Sequence, residues 1–300
     1  MHIAARFIVV VFAALTLSAQ GWVSQVVVFG DSLSDTGNFW TKMHPTDWPY
    51  VGKGASNGPL AVEKMADIYK TPLVNFAWFG ATTGVGNEAD GGTQTALGAA
   101  QLPGVTTAYL AAKAAGLEVD PQAVYVVWAG PNDLRTNGTS PAALATAVTN
   151  LVAIVRDLES AGAKHILAPG MPDLGLTPGY VGTIDEEQAT AVSDAFNALL
   201  TANLPRKVNY FDTAGWMRQI FAKPAAYGFV NVTQPCLGTP GCLAAPDTFF
   251  FWDTFHPTTA AHALMGELFA ECAQTRSGGR SAHCRAGLGP EEPKGPPKKK

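Results

Sequence analysis

Two stretches in the body of this chain stand out as apolar at every consecutive position and rich in β-branched residues. They are Val26-Val27-Val28-Phe29 and Ala123-Val124-Tyr125-Val126-Val127-Trp128. A strand that alternates apolar and polar residues hides one face, whereas a strand apolar at every position needs cover on both. Gln25–Phe29 and Ala123–Trp128 are therefore expected as buried strands, and Pro72–Phe76, His165–Ala168 and Val208–Phe211 complete a set of five. Helical patterns lie between them. Ser140-Pro141 offers an N-cap and a proline at the first helical position, and Leu144, Val148, Leu151, Val155 and Leu158 then recur at helical spacing up to Gly162. Asp185–Leu204 repeats the theme with Ala191, Ala195 and Leu199, and a last helix is expected from about Pro257 to Cys272. Strands alternating with helices imply a parallel sheet with right-handed crossovers. The reading is one α/β sandwich with a five-stranded parallel sheet over residues 25–274, without an internal linker or repeat.

The two ends differ from this body. Residues 1–24 read as a secretory signal peptide: His2 and Arg6, an apolar run from Phe7 to Leu17, then the small residues Ser18, Ala19 and Gly21. The run is shorter than the roughly 20 residues of a membrane span. The leader predicts an exported protein, secreted or periplasmic, and since no later apolar stretch looks long enough to span, the mature protein is expected to be soluble, with no transmembrane segment. Export permits disulfides. The four cysteines, Cys236, Cys242, Cys272 and Cys284, allow three pairings. The Leu237–Gly241 turn favours Cys236–Cys242, which leaves Cys272–Cys284 to staple the tail to the last helix. No Cys-x-x-Cys or mixed Cys/His spacing suggests zinc, so no structural zinc is expected; no other metal and no cofactor is expected. Residues 275–300 are dominated by Ser, Gly, Pro and Lys and are expected to form a disordered basic tail. Charge divides the same way: the tail carries +5 and residues 1–275 carry −9. An acidic body argues against a nucleic-acid partner, and oligomeric state is left open.

Ligands of an open parallel sheet bind beyond the carboxyl ends of its strands. Four polar blocks stand there or near the end of the chain: Gly30-Asp31-Ser32-Leu33-Ser34-Asp35-Thr36-Gly37-Asn38, Ala77-Trp78-Phe79-Gly80-Ala81-Thr82, Gly130-Pro131-Asn132-Asp133 and Trp252-Asp253-Thr254-Phe255-His256-Pro257-Thr258. A serine hydroxyl attacks a carbonyl only with a base in hydrogen-bond reach and an acid orienting that base. Ser32 is the candidate nucleophile, at a strand-to-helix turn where a helix N-terminus would favour negative charge. His256 is the candidate base, and Asp253 stands three residues before it. A tetrahedral oxyanion needs fixed donors: the backbone N–H groups of Ser32 and Gly80 and the side-chain amide of Asn132. Trp78, Phe79 and Trp252 are candidate substrate-binding residues.

These blocks resemble the GDSL, or SGNH, family of serine hydrolases, with Ser32, Gly80, Asn132 and His256 as the name residues in order; Ser56-Asn57-Gly58-Pro59 matches a segment of its lipase-like branch. The resemblance spans roughly residues 25–272. It implies a flavodoxin-like three-layer α/β/α sandwich, a Ser-His-Asp triad and metal-free ester hydrolysis. One departure is Phe79-Gly80, where many relatives carry two glycines; the oxyanion role is carried to Gly80 alone. The Gly-x-Ser-x-Gly signature of the α/β-hydrolases is absent.

Blander readings cover the neighbouring residues. Asp31, Asp35, Asn38 and Asp133 are expected to brace loops, and Asp247 is a rival acid with poorer spacing. His262 is read as a surface or packing histidine, His165 as structural, and His44 as a candidate entrance residue. The aromatics Trp40, Trp48, Tyr50, Trp78, Phe79 and Trp252 are either packing residues, an acyl pocket, or a box for a quaternary ammonium. The functional expectation is a secreted serine ester hydrolase acting on a small-molecule or lipid ester. Phospholipase, acyltransferase and choline-ester activities are alternatives. A non-catalytic envelope binding module is the alternative of another class, and it would carry a broken triad.

Overall fold

A computed structural model describes residues 23–274 and 283–284. The leader read at 1–24 and the tail read at 275–300 lie almost wholly outside the described residues. In chain order the strands are β1 (Val26–Gly30), β2 (Leu73–Asn75), β3 (Val124–Trp128), β4 (His165–Pro169), β5 (Asn209–Phe211), β6 (Asn231–Pro235), β7 (Phe249–Phe251) and β8 (His283–Cys284). The helices are α1 (Asn38–Met43), α2 (Ala61–Tyr69), α3 (Val105–Ala114), α4 (Pro131–Asn137), α5 (Pro141–Ser160), α6 (Glu186–Asn203), α7 (Thr213–Ala222) and α8 (Thr259–Gln274). The main sheet is parallel throughout, in the order β2-β1-β3-β4-β5-β8. This is a flavodoxin-like three-layer α/β/α sandwich, and the strand order reverses between β1 and β3.

The uninterrupted apolar runs are explained by two cores. Val27, Phe29, Tyr125 and Val127 face α3, α5 and α6. Val26, Val28, Val124, Val126 and Trp128 face α2, α7 and α8. Each of these side chains is at most 2% exposed, and full burial of one Val or Phe stabilises by about 1.5–3 kcal/mol. Ser140 caps α5, its Oγ accepting the Ala143 N–H at 3.2 Å. By length and composition α5 could cross a membrane, against the expectation that no later stretch would. Eight of its residues between Leu144 and Leu158 are buried, so its apolar stripe is that of a core helix.

Three features depart from the sequence reading. The disulfide Cys272–Cys284 brings His283–Cys284 beside β5 as a sixth, two-residue strand, inside the segment read as a disordered tail. β6 and β7 form a separate small parallel sheet with the Cys236–Cys242 disulfide in the connection between them. β7 (Phe-Phe-Phe) is apolar but only three residues long, and Asn231–Pro235 is mostly polar and ends in proline, so neither reads as a strand from the sequence. The last helix starts at Thr259 rather than Pro257, because Pro257 bridges back to Phe251.

Candidate active site

Ser32 follows β1 directly, and Asn132 sits in the first turn of α4 just after β3, so both stand where the strand order reverses. The chain does not enter a helix behind Ser32, as the sequence reading supposed. Asp31 Oδ1 accepts the Leu33 N–H, and the Asp31 carbonyl accepts the N–H groups of Ser34 and Asp35. Asp35 then takes the N–H groups of Gly37, Asn38 and Phe39. Carboxylates that capture nearby N–H groups compete with helix formation, so a turn holds Ser32 and α1 begins only at Asn38.

The blocks are splinted to one another by buried polar side chains. Asp35 Oδ2 also accepts the Phe79 N–H at 2.8 Å, tying the Ser32 loop to the Gly80 loop. Asn38 Nδ2 donates to the Asn75 and Ala77 carbonyls. Asp133 accepts from Thr83 N–H, Thr83 Oγ1 and Gln94 Nε2, tying the Asn132 loop to the same region. Burial raises the Asp133 carboxyl to about 6 against these donors, and raises Asp31 to about 7 against the Leu33 N–H. Gly80 has φ +78, and a Cβ there would lie 2.4 Å from Asn87 Oδ1, so both the backbone and the space demand glycine. Asn132 Nδ2 donates one hydrogen bond, to the Ala81 carbonyl at 3.0 Å, and has a second N–H to offer.

The His256 loop closes from the other side. Asp253 Oδ1 accepts the backbone N–H groups of Phe255 (2.8 Å) and His256 (2.7 Å). Asp253 Oδ2 lies 2.7 Å from His256 Nδ1, and His256 Nε2 lies 2.9 Å from Ser32 Oγ. The three groups are therefore in one hydrogen-bonded line. Burial pushes the Asp253 carboxyl up, but the facing imidazole and the two N–H donors outweigh it and hold the group at about 2. Asp247 is exposed and outside this line.

Ser32, Gly80, Asn132, Asp253 and His256 all line one cavity of about 340 Å³. Its lining includes the part-exposed or exposed Tyr50, Phe79, Glu88 and Arg135, and the buried Trp128, Met217, Phe250, Phe251 and Met265 on its inner side. Arg135 Nε pairs with Glu88 Oε1 at 2.7 Å, and its guanidinium lies over the Phe255 ring at 5.3 Å. Of the three aromatic candidates, Phe79 lines the cavity, its ring 5.5 Å from the His256 ring. Trp78 and Trp252 do not. Trp78 packs against the core under β1, and Trp252 is buried with Cys236 and Cys242, its indole N–H donating to the Pro49 carbonyl. His44 is exposed, edge-on to Trp40, and does not line the cavity. Trp40 has Lys53 over its ring at 4.7 Å, so its face already holds a cation. His262 is a packing residue: it is fully buried, with Nδ1 accepting the Ala61 N–H.

Sequence reasoning did not find the hydroxyl of Tyr50, which donates to Asp253 Oδ2 at 2.7 Å. The two residues are 203 positions apart, and no spacing rule connects them. The Arg135–Glu88 pair on the cavity was missed for the same reason. The small β6–β7 sheet that carries the loop to Asp253 was missed because β7 is three residues long and β6 is mostly polar.

The sequence profile described as GDSL-like Lipase/Acylhydrolase matches residues 26–269. The chain is 28% identical over 284 residues to a Pseudomonas putida protein described as an uncharacterized protein in the trpE-trpG intergenic region, a match covering 81% of this chain and 47% of that one. It is 28% identical to the thermolabile hemolysin of Vibrio parahaemolyticus, covering 83% of this chain and 63% of that one. It is 26% identical to the phosphatidylcholine-sterol acyltransferase of Aeromonas hydrophila, covering 81% and 88%. The chain thus spans between about half and two thirds of the first two relatives.

Proposed function

The chain belongs to the GDSL-like lipase/acylhydrolase family, and we propose that it is a secreted serine carboxylic-ester hydrolase working through Ser32, His256 and Asp253. The observation that carries this reading is the line from Ser32 Oγ to His256 Nε2 (2.9 Å) and from His256 Nδ1 to Asp253 Oδ2 (2.7 Å) at the wall of a cavity. Ser32 Oγ attacks the ester carbonyl as His256 Nε2 takes its proton. Asp253 remains ionised, keeps the Nδ1–H tautomer and steadies the imidazolium. The N–H groups of Ser32 and Gly80 and the amide of Asn132 receive the oxyanion. His256 returns the proton to the departing alcohol, and water repeats the cycle on the acyl-enzyme. His256 must be neutral to act as base, so activity falls on acidification.

The inner wall of Trp128, Met217, Phe250, Phe251 and Met265 suits an acyl chain. It supports a second reading inside the same class, transfer of an acyl group from a phospholipid to an alcohol, in keeping with the name of the Aeromonas relative. The aromatic rim of Tyr50 and Phe79 suits a quaternary ammonium leaving group. Export, with removal of residues 1–24, is supported by the two disulfides.

The test is a panel of p-nitrophenyl esters, phosphatidylcholine, acylcholines and acetylated polysaccharide, each with and without an acceptor alcohol, on the native chain and on Ser32→Ala. Turnover of at least one ester, lost in Ser32→Ala with the fold intact, is the expected result. A Ser32→Ala protein that kept its rate would sink the reading. Product analysis with the acceptor present separates hydrolysis from transfer.

A further inference from the structure

Asp253 is held by its own loop at one oxygen only. Oδ1 accepts two N–H groups from positions 255 and 256, both within three residues. Oδ2, the oxygen that meets the imidazole, has one further partner among the described residues, the hydroxyl of Tyr50. Tyr50 Oη lies 2.7 Å from Oδ2 and 3.3 Å from His256 Nδ1. The direction of that bond follows from proton counting. His256 Nε2 faces the Ser32 hydroxyl and must accept its proton, so Nδ1 carries the ring proton and cannot accept another. The one phenolic proton of Tyr50 therefore goes to the carboxylate.

The placement of Tyr50 is itself held from several sides. Its ring packs edge-on against Trp48 at 4.7 Å and against His256 at 5.7 Å. The preceding Pro49 carbonyl accepts the Trp252 indole N–H at 3.0 Å. Further along, Ser56 Oγ donates to the Pro257 carbonyl, and Asn57 Oδ1 accepts the Thr259 N–H. The segment 49–57 contains no helix or strand, yet it lies along residues 252–259 as a strap with Tyr50 aimed at the acid. Burial, then the adjacent carboxylate, push the Tyr50 phenol well above its ordinary range, so it remains a donor wherever the enzyme works.

We infer that Tyr50 is a positioning residue for ester hydrolysis: its hydroxyl fixes Asp253 Oδ2, and through it the His256 ring, in line with Ser32. The inference rests on the proposed roles of Ser32, His256 and Asp253. Tyr50 touches no reacting atom and acts through the carboxylate. Two consequences follow. Without the hydroxyl the carboxylate can swing, and the imidazole is less often aligned, so kcat falls. The carboxylate also loses a donor that draws on its charge, so it favours the protonated imidazole more strongly and the acidic limb of the rate moves to higher pH. The ionisable groups around His256 are Asp253 and Tyr50 in contact, with Asp31 and His262 acting through space and the Arg135–Glu88 pair on the same cavity. Tyr50→Phe alters only the contact pair.

The experiment measures kcat and KM against pH for a short-chain p-nitrophenyl ester with the native chain, Tyr50→Phe and Ser32→Ala. For the native chain and Tyr50→Phe, rates are expressed per site titrated by a serine-directed organophosphonate, so misfolded protein is not counted; for Ser32→Ala, which has no such site, they are expressed per folded protein. Tyr50→Phe keeps the ring in the cavity lining, and KM stays close to native. Its kcat per site drops about ten-fold, the scale of one charge-assisted hydrogen bond, and its acidic limb moves upward. An unchanged rate per site, or a loss of rate without an upward move of the limb, overturns the inference. Retained turnover in Ser32→Ala would overturn the hydrolase reading instead, whatever Tyr50→Phe does.

Discussion

Ser32 follows a strand of the main sheet, and His256 does not. The proposed nucleophile, Gly80 and Asn132 lie at strand ends of a sheet buried on both faces, and Asp35 and Asp133 splint those segments through backbone N–H groups. The proposed acid and base occupy a loop after β7, in a two-stranded sheet of its own, with a disulfide in the preceding connection. That loop meets the rest of the site through the strap at 49–57. The first half is held by the fold's own core and by local carboxylates. The second is held by contacts between segments about two hundred positions apart in the chain. One catalytic line across two such supports concentrates the dependence on tertiary structure in the acid–base half.

The largest test asks whether the halves act as one unit. Ser32→Ala and His256→Ala are each expected to lower kcat by roughly 10⁴–10⁶-fold, and the double variant by no more. Additive losses, read from steady-state rates, would mean that the halves work separately. Next comes Asn132→Ala, which removes one oxyanion donor from the nucleophile half and is expected to cost about 10²–10³-fold in kcat. An unchanged kcat would remove Asn132 from that role.

Smaller effects separate the supports. Replacing Cys236 and Cys242 together by serine frees the connection in the acid–base half. The chain-entropy cost of so short a loop is about 2 kcal/mol, or roughly 4–8 °C in Tm for a domain of this size. Calorimetry checks the stability, and hydrogen exchange at the loops carrying Ser32, Gly80 and Asn132 checks that the nucleophile half survives. A loss of protection there equal to that of the acid–base loop would show the two supports to be inseparable.

The smallest effect concerns His262, on α8 behind the site. Burial, then the charge on His256, lower its imidazole from 6.5 to about 3. A group whose folded form prefers to be neutral adds stability above its unfolded value, and that stability is lost as pH falls from 6.5 towards 3. Asp31 and Asp133 have raised carboxyls and act with the opposite sign, losing stability as pH rises towards 7 and 6. Their contribution is common to both proteins in a comparison with His262→Asn, which keeps an acceptor for the Ala61 N–H. The variant is expected to show a smaller drop in Tm between pH 7 and pH 5 than the native chain, by differential scanning calorimetry.

What was legible followed the same division. Val26–Phe29 and Ala123–Trp128 announce buried strands because every position is apolar, and the polar blocks behind them are contiguous in sequence. Ser32, Gly80 and Asn132 could therefore be named by place. Asp253 and His256 were legible as a pair because a tight loop brings residues three apart together. The turn behind Ser32 was misread because Asp31 and Asp35 take N–H groups that a helix would have used. Trp78 and Trp252 were misplaced because aromatic character says nothing about which way a ring points. The β6–β7 sheet went unseen because its strands are short and β6 is polar.

The sequence by itself determined the doubly covered sheet, its parallel order of elements and the chemical identity of the candidate site, since those depend on local pattern and on residue type. Only the tertiary structure decided that His256 reaches Ser32 across 224 positions, that Tyr50 meets Asp253 while Trp78 and Trp252 lie away from the cavity, and that the cavity is lined by Met217 and Met265. These are meetings of side chains from distant segments. Packing of the whole chain selects them, and no periodicity along the backbone encodes them.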